Sequence, residues 1–261
     1  MANLEYKISG DPEAPWITLS HSLATDMRMW EAQLPALETH FHVLRYDARG
    51  HGGSKLGTGE FSMNNLMQDV LDLWDELDIA QSHFLGLSMG GMTGIGLALS
   101  NPERLGRLVA CDCRLDAPEF FRDMWDQRIA SVEQGGMEAI VDGIIATWLC
   151  DQTLTSKNSP ESLARQLILA TPAESYIACA RALKGLDYKQ SLKDISVPVL
   201  YLVGAQDGVH PDEMKVLSEL TPGAHFRELE DAAHLSNLEK PLAFNRATMD
   251  FLLEVNSRHG T

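Results

Sequence analysis

His83-Phe84-Leu85-Gly86-Leu87-Ser88-Met89-Gly90-Gly91-Met92 constrains this chain more than any other stretch. An apolar run ends at a serine with glycine two residues away on each side. Small and apolar residues from Met89 to Leu99 follow, with no proline before Pro102. A strand that turns sharply into a helix holds its central residue in a strained backbone conformation, and side chains two positions away would collide across the turn, so glycine is needed there. The serine hydroxyl then stands clear of the sheet. The Met89 amide opens a helix, where unpaired N–H groups and the dipole favour negative charge. The Gly-x-Ser-x-Gly spacing therefore predicts a serine nucleophile at Ser88, with the Met89 amide as one donor to an oxyanion.

The rest of the chain supplies the setting such a turn requires. Leu4–Ile8, Trp16–Ser20, Phe41–Tyr46 and Arg107–Cys111 read as strands, and Glu31–Thr39 as a helix. Leu66, Val70, Leu73, Trp74 and Leu77 recur at helical spacing within Met63–Leu77. Alternating strands and helices predict an α/β fold, a mostly parallel doubly wound sheet covered on both faces. From 117 to 184 the alternation stops and only helical patterns occur: Glu119–Glu133, Gly136–Trp148, Pro160–Ala170 and Ala173–Lys184. This segment reads as a helical insertion. Residues 1–116 and 185–261 form the core domain, with strands at Pro198–Val203 and Ala224–Leu229 and helices at Pro211–Leu220 and Pro241–Val255.

A nucleophilic serine needs a base, and the base needs a carboxylate to orient it. In a doubly wound sheet these residues follow the carboxyl ends of strands, in the chain order serine, acid, histidine. Asp207 follows the strand Pro198–Val203, and His234 follows Ala224–Leu229. Asp112, at the end of the strand after the serine helix, is the rival acid. His210 and Asp212 are read as residues that help the helix at Pro211 begin, Asp231 as a shaper of the turn before His234, and His21 as a structural loop residue. The second oxyanion donor belongs to the loop after Ser20, where the backbone N–H of Leu23 is the candidate.

Charge and cysteine content narrow the function classes. The net charge of −16 disfavours nucleic acid and anionic membrane as partners and means that an anionic substrate needs a local arginine. No apolar run approaches the roughly 20 residues of a membrane span. The first residues have neither the basic start nor the apolar core of a secretory signal, so the expected location is the cytoplasm. Cys111, Cys113, Cys150 and Cys179 show no zinc or redox spacing and are expected to be reduced and buried. No metal-ligand spacing occurs, and the chemistry needs no cofactor.

Four phrases carry a wider resemblance: Leu19–Asp26 with Met29-Trp30, Val43–Gly52, Gly86–Met92 and Ala233–Asn237. On these residues the chain resembles the α/β-hydrolase superfamily and, within it, the 3-oxoadipate enol-lactonase group, over nearly its whole length. The resemblance implies an α/β-hydrolase fold whose insertion at 117–184 is a lid, and hydrolysis of a small-molecule ester or lactone through an acyl-enzyme on Ser88. Two phrases depart from the group: His21-Ser22-Leu23-Ala24 stands for Asn-Ser-Leu-Gly, and Cys111–Asp116 for an Asn-Thr-Ala-like run. Enol-lactonases cleave a lactone bearing a free carboxylate, so the resemblance implies a clamp by Arg128, Arg114 or Arg122. Phe121, Trp125, Arg128 and Val132 fall on one lid face, and Trp125 and Trp148 are expected to wall the pocket. A general carboxylesterase, a perhydrolase and, in another class, a ligand receptor of the same fold are the alternatives.

Overall fold

The computed structural model describes residues 4–58, 61–157 and 159–254. Seven strands form one sheet in the order β1-β3-β2-β4-β5-β6-β7. They are β1 (Tyr6–Ser9), β2 (Trp16–Ser20), β3 (His42–Tyr46), β4 (Ser82–Leu87), β5 (Leu105–Cys111), β6 (Val199–Gly204) and β7 (His225–Leu229). Only β1 runs antiparallel, against β3; every other pairing is parallel. The chain passes from β2 outward to β3 and then returns to β4 on the other side of β2. The carboxyl ends of β2 and β4 therefore flank a switch point, the place where open α/β sheets leave a crevice for ligands.

Burial explains the sheet's sequence. Strands covered on both faces need not alternate, and β4, β5 and β6 are almost wholly buried. Helix α2 (Met63–Glu76) instead buries one stripe, with Leu66, Val70, Leu73 and Trp74 inward, each contributing about 1.5–3 kcal/mol by leaving water. Trp74 Nε1 donates to Thr18 Oγ1 at 2.8 Å, satisfying its polar atom inside the core. Helix α3 (Met89–Ser100) is apolar all round and buried from Met89 through Ala98.

Three expectations change in detail, and the first is the predicted helix Gly136–Trp148, which splits into a 3₁₀ turn at Met137–Ala139 and a helix at Val141–Trp148. The predicted helix Glu31–Thr39 shrinks to α1 (Leu34–Leu37) behind a 3₁₀ turn at Met27–Trp30. Pro35 lacks the N–H that a helix beginning at Glu31 would use, and it fits the first turn of the shorter one. The last helix, α11, spans Pro241–Leu252; the expected end at Val255 lies outside the described residues.

Between β5 and β6 the chain forms α4 (Glu119–Gly135), α5 (Val141–Trp148), α6 (Asp151–Leu154), α7 (Glu161–Ala170) and α8 (Ala173–Leu183). An isolated antiparallel bridge between Asp116 and Asp187 pinches the two ends together, and Tyr188 N–H donates to Leu115 O at 2.8 Å. The remaining helices are α9 (His210–Leu220) and α10 (Ser236–Glu239). Among the described residues no helix is long and apolar enough to cross a membrane.

Candidate active site

Ser88 joins β4 to α3 with φ 54° and ψ −115°, the strained conformation required at this turn. Its amide donates to Cys111 O at 2.8 Å. A Cβ at Gly86 would collide with Gly90 O, and one at Gly90 with Ser20 O, so the flanking glycines are demanded by backbone contact. The second collision also shows how closely the end of β2 approaches the start of α3. Among the described residues the N–H groups of Leu23 and Met89 have no internal acceptor, as oxyanion donors require.

Two buried histidines hold the Leu23 loop. Ala48 N–H donates to His21 Nε2 at 2.8 Å, which leaves the proton on Nδ1, facing Ser22 O at 2.8 Å. Ala24 N–H donates to His51 Nε2 at 3.1 Å, and the two rings meet edge to face with centroids 5.1 Å apart. The loops after β2 and β3 are thus stitched reciprocally, with His21 structural as the sequence suggested. Burial drives His21 down to about 4 and His51 to about 3; the nearby His21 lowers His51 further. A depressed histidine contributes stability that is complete above the free imidazole value and is lost as pH falls toward the folded one. The ring resonances of His21 and His51 are therefore expected to stay fixed in an NMR titration from neutral pH to about 5. Movement of either through pH 6–7 would contradict the neutral pair.

Asp207 and His234 meet beyond the sheet edge. His234 Nδ1 lies 2.9 Å from Asp207 Oδ2, which leaves Nε2 on the side of the ring away from the carboxylate. Burial acts to raise the Asp207 carboxyl, but the charges and hydrogen bonds of His234 and His210 outweigh it and hold the group well below the usual carboxylate range. Trp148 stacks on the His234 ring, centroids 5.6 Å apart. Glu239 fixes this loop to the insertion: its carboxylate accepts from Ala233 N–H at 2.6 Å and from Cys150 N–H at 2.8 Å. Leu235 N–H adds a bond to Trp148 O at 3.1 Å. The Ser88 hydroxyl and the His234 ring line the same cavity, with no hydrogen bond between them among the described residues. Such bonds are often long before substrate binds and tighten in the complex.

The rival acid is engaged elsewhere. Asp112 is fully buried, its Oδ1 accepting from Gly204 N–H at 2.8 Å and its Oδ2 from Ser236 Oγ at 2.5 Å. Burial, and then the charge of Asp207, pushes its carboxyl well above the usual range. Asp112 ties the end of β6 to the His234 loop, while the carboxylate that His234 meets is Asp207. His210 departs from expectation. It opens α9, but its Nδ1 turns back to Asp207, 3.2 Å from Oδ2. Asp207, His210 and His234 each bring one ligand-type atom within 4.8 Å of the others, the one such trio among the described residues. Both Nδ1 atoms of that trio lie within hydrogen-bond distance of the one Asp207 oxygen, Oδ2.

A cavity of about 260 Å³ joins Ser88, Leu23 and His234 to the insertion. Its walls are mainly apolar: Met92, Phe121, Met124, Trp125, Trp148 and Leu183, with Phe120 and Val209, both more than half exposed, at the mouth. Phe121, Trp125 and Val132 are buried on the expected face of α4. The three candidate arginines separate clearly. Arg122 is exposed and donates to Ala117 O, away from this cavity. Arg114 lines the cavity but is paired with Asp116 at 2.9 Å and Glu213 at 2.8 Å. Arg128 lines it over the Trp125 ring, 5.3 Å from the centroid, with no carboxylate partner among the described residues.

The profile described as the alpha/beta hydrolase fold matches residues 15–241. The chain belongs to that family, as its sheet order and Ser88 turn already indicated. Among curated relatives, 3-oxoadipate enol-lactonase 2 of Acinetobacter baylyi is 34% identical, covering 94% of this chain and 91% of the relative. The crystal structure of the enol-lactonase from Burkholderia xenovorans is 36% identical, with a TM-score of 0.93 over 97% of each chain. A thermophilic esterase from Thermogutta terrifontis, solved with malate bound, is 28% identical, with a TM-score of 0.90 over 96% of this chain and 93% of its own.

Proposed function

We propose that the chain hydrolyses carboxylic esters through an acyl-enzyme, and that its substrates are small lactones carrying a free carboxylate, of the 3-oxoadipate enol-lactone kind. The observation that carries the finer reading is Arg128, a guanidinium without a carboxylate partner in an otherwise apolar cavity that also holds Ser88 and His234. A cation there has a use if the substrate brings the anion. The resemblance to enol-lactonases supports the reading, as does the malate held by the related esterase, since malate is a dicarboxylate.

His234 Nε2 takes the Ser88 proton as Oγ attacks the carbonyl. Asp207 fixes the tautomer with Nδ1 protonated and stabilises the imidazolium. The amides of Leu23 and Met89 receive the tetrahedral oxyanion. As the ester bond breaks, His234 returns the proton to the departing oxygen, which in a lactone stays tethered to the acyl group. His234 next takes a proton from water as it attacks the acyl carbon, and gives that proton to Ser88 Oγ as the acyl bond breaks and the acid leaves. The insertion acts as a lid: Trp148 and Trp125 shape the chamber and keep water from the acyl group.

The test compares a carboxylate-bearing lactone with an uncharged nitrophenyl ester. Arg128→Ala is expected to lower kcat/KM about 10- to 100-fold on the lactone, the worth of a charge-assisted pair, with little change on the ester. Equal losses on both, or a parent enzyme that strongly prefers the uncharged ester, would reject the clamp. The apolar walls favour that second reading, a general carboxylesterase.

A further inference from the structure

His210 is the histidine in the cavity that the mechanism leaves unused, and its placement is specific. Asp207 Oδ2 receives two imidazole nitrogens, His234 Nδ1 at 2.9 Å and His210 Nδ1 at 3.2 Å. His210 Nδ1 also lies 3.1 Å from Asp207 O, so the ring is held from two directions. The two rings are tilted by 45° with centroids 5.6 Å apart. Resting on the proposed Ser88 mechanism, we propose that His210 is a positioning residue that shares the acid with His234 and thereby sets the pH below which His234 stops acting as a base.

The groups facing His210 make the direction of the effect clear. Asp207 approaches from the β6 loop and His234 from the β7 loop. Glu213 lies on the same helix, but its carboxylate is paired with Arg114 from the segment after β5. Arg128 lines the same cavity from α4. Behind Asp207 lies Asp112, occupied by Ser236 and Gly204. The anion closest to His210 is therefore Asp207. Burial resists a charge on His210, but the hydrogen bond and charge of Asp207 prevail and hold its proton more tightly than in a free imidazole. A cationic His210 occupies part of the charge of Asp207 and opposes a second cation on the adjacent ring.

Two measurements test this. In His210→Gln, the acid limb of kcat/KM for a nitrophenyl ester is expected to move to higher pH by about one unit, because His234 gains a proton more easily once its cationic neighbour is gone. An acid limb that stays in place or moves lower overturns the proposal. In folded Ser88→Ala protein with ¹⁵N-labelled histidine, the two rings are expected to titrate together, each showing an inflection at the other's step. Two independent single-step curves overturn it, and this result stands whether or not His210→Gln folds. If Ser88→Ala hydrolyses esters as fast as the parent, the functional reading fails, while the coupled titration still decides whether the acid is shared.

Discussion

Ser88→Ala is expected to reduce ester turnover by about 10⁵- to 10⁶-fold, the scale seen when a serine hydrolase loses its nucleophile. The change removes the only atom that can form the acyl bond in the proposed mechanism, while the oxyanion donors at Leu23 and Met89 remain. Residual activity from those amides and from binding accounts for why the loss is not larger. The fold should be preserved. Serine and alanine suffer similarly at φ 54°, and the bond from the residue 88 amide to Cys111 O does not involve the hydroxyl. A thermal midpoint within a few degrees of the parent, with turnover near background, is the expected pair of results. Parent-level turnover would remove Ser88 from the chemistry.

Asp207→Asn is expected to cost about 10⁴-fold in kcat, with a smaller effect on KM. An asparagine amide can donate to His234 Nδ1 and so select the tautomer with Nε2 protonated, which cannot accept the serine proton. Asp112 is not placed to compensate, since both of its oxygens are already bound to Gly204 and Ser236. The variant should also lose some resistance to acid. A carboxyl held below its ordinary value contributes stability that is present above the unfolded value near 3.9 and fades as pH falls through the folded one. Asparagine has no such contribution. A variant within tenfold of the parent kcat would show that another group orients His234, and Asp112 would then be the first to replace.

Those residues were legible in the sequence because their signals are local. Gly86, Ser88 and Gly90 satisfy a steric rule within one turn, and Asp207 and His234 each follow a recognisable strand. Strand positions came through well for the same reason: apolar runs bounded by turns leave few alternatives. The helix at Glu31 did not, because Pro35 forbade the hydrogen bond that a helix of that length needs. Residues whose roles depend on distant contacts stayed hidden. Nothing near His51 announces that it accepts from Ala24, and Glu239 reads as an ordinary helical acid until Ala233 and Cys150 are seen on its two oxygens. Sequence favoured Arg128 without separating it from Arg114 and Arg122; Asp116 and Glu213 neutralise Arg114, and Arg122 turns to Ala117 O. His210 had the clearest overlooked signal, lying three residues beyond Asp207, within reach of its carboxylate at the opening of a helix.

The two oxygens of Glu239 set a condition on any attempt to transplant the helical segment as a cassette from one enzyme of this fold to another. Because the chain departs and re-enters at the Asp116–Asp187 pair, the splice points themselves are simple. The graft must nonetheless bring an amide to the place of Cys150, or the carboxylate that steadies the His234 loop loses half of its partners. A chimera chosen for a new substrate would then arrive with the His234 ring out of alignment, and the cause would lie at the junction rather than in the new pocket.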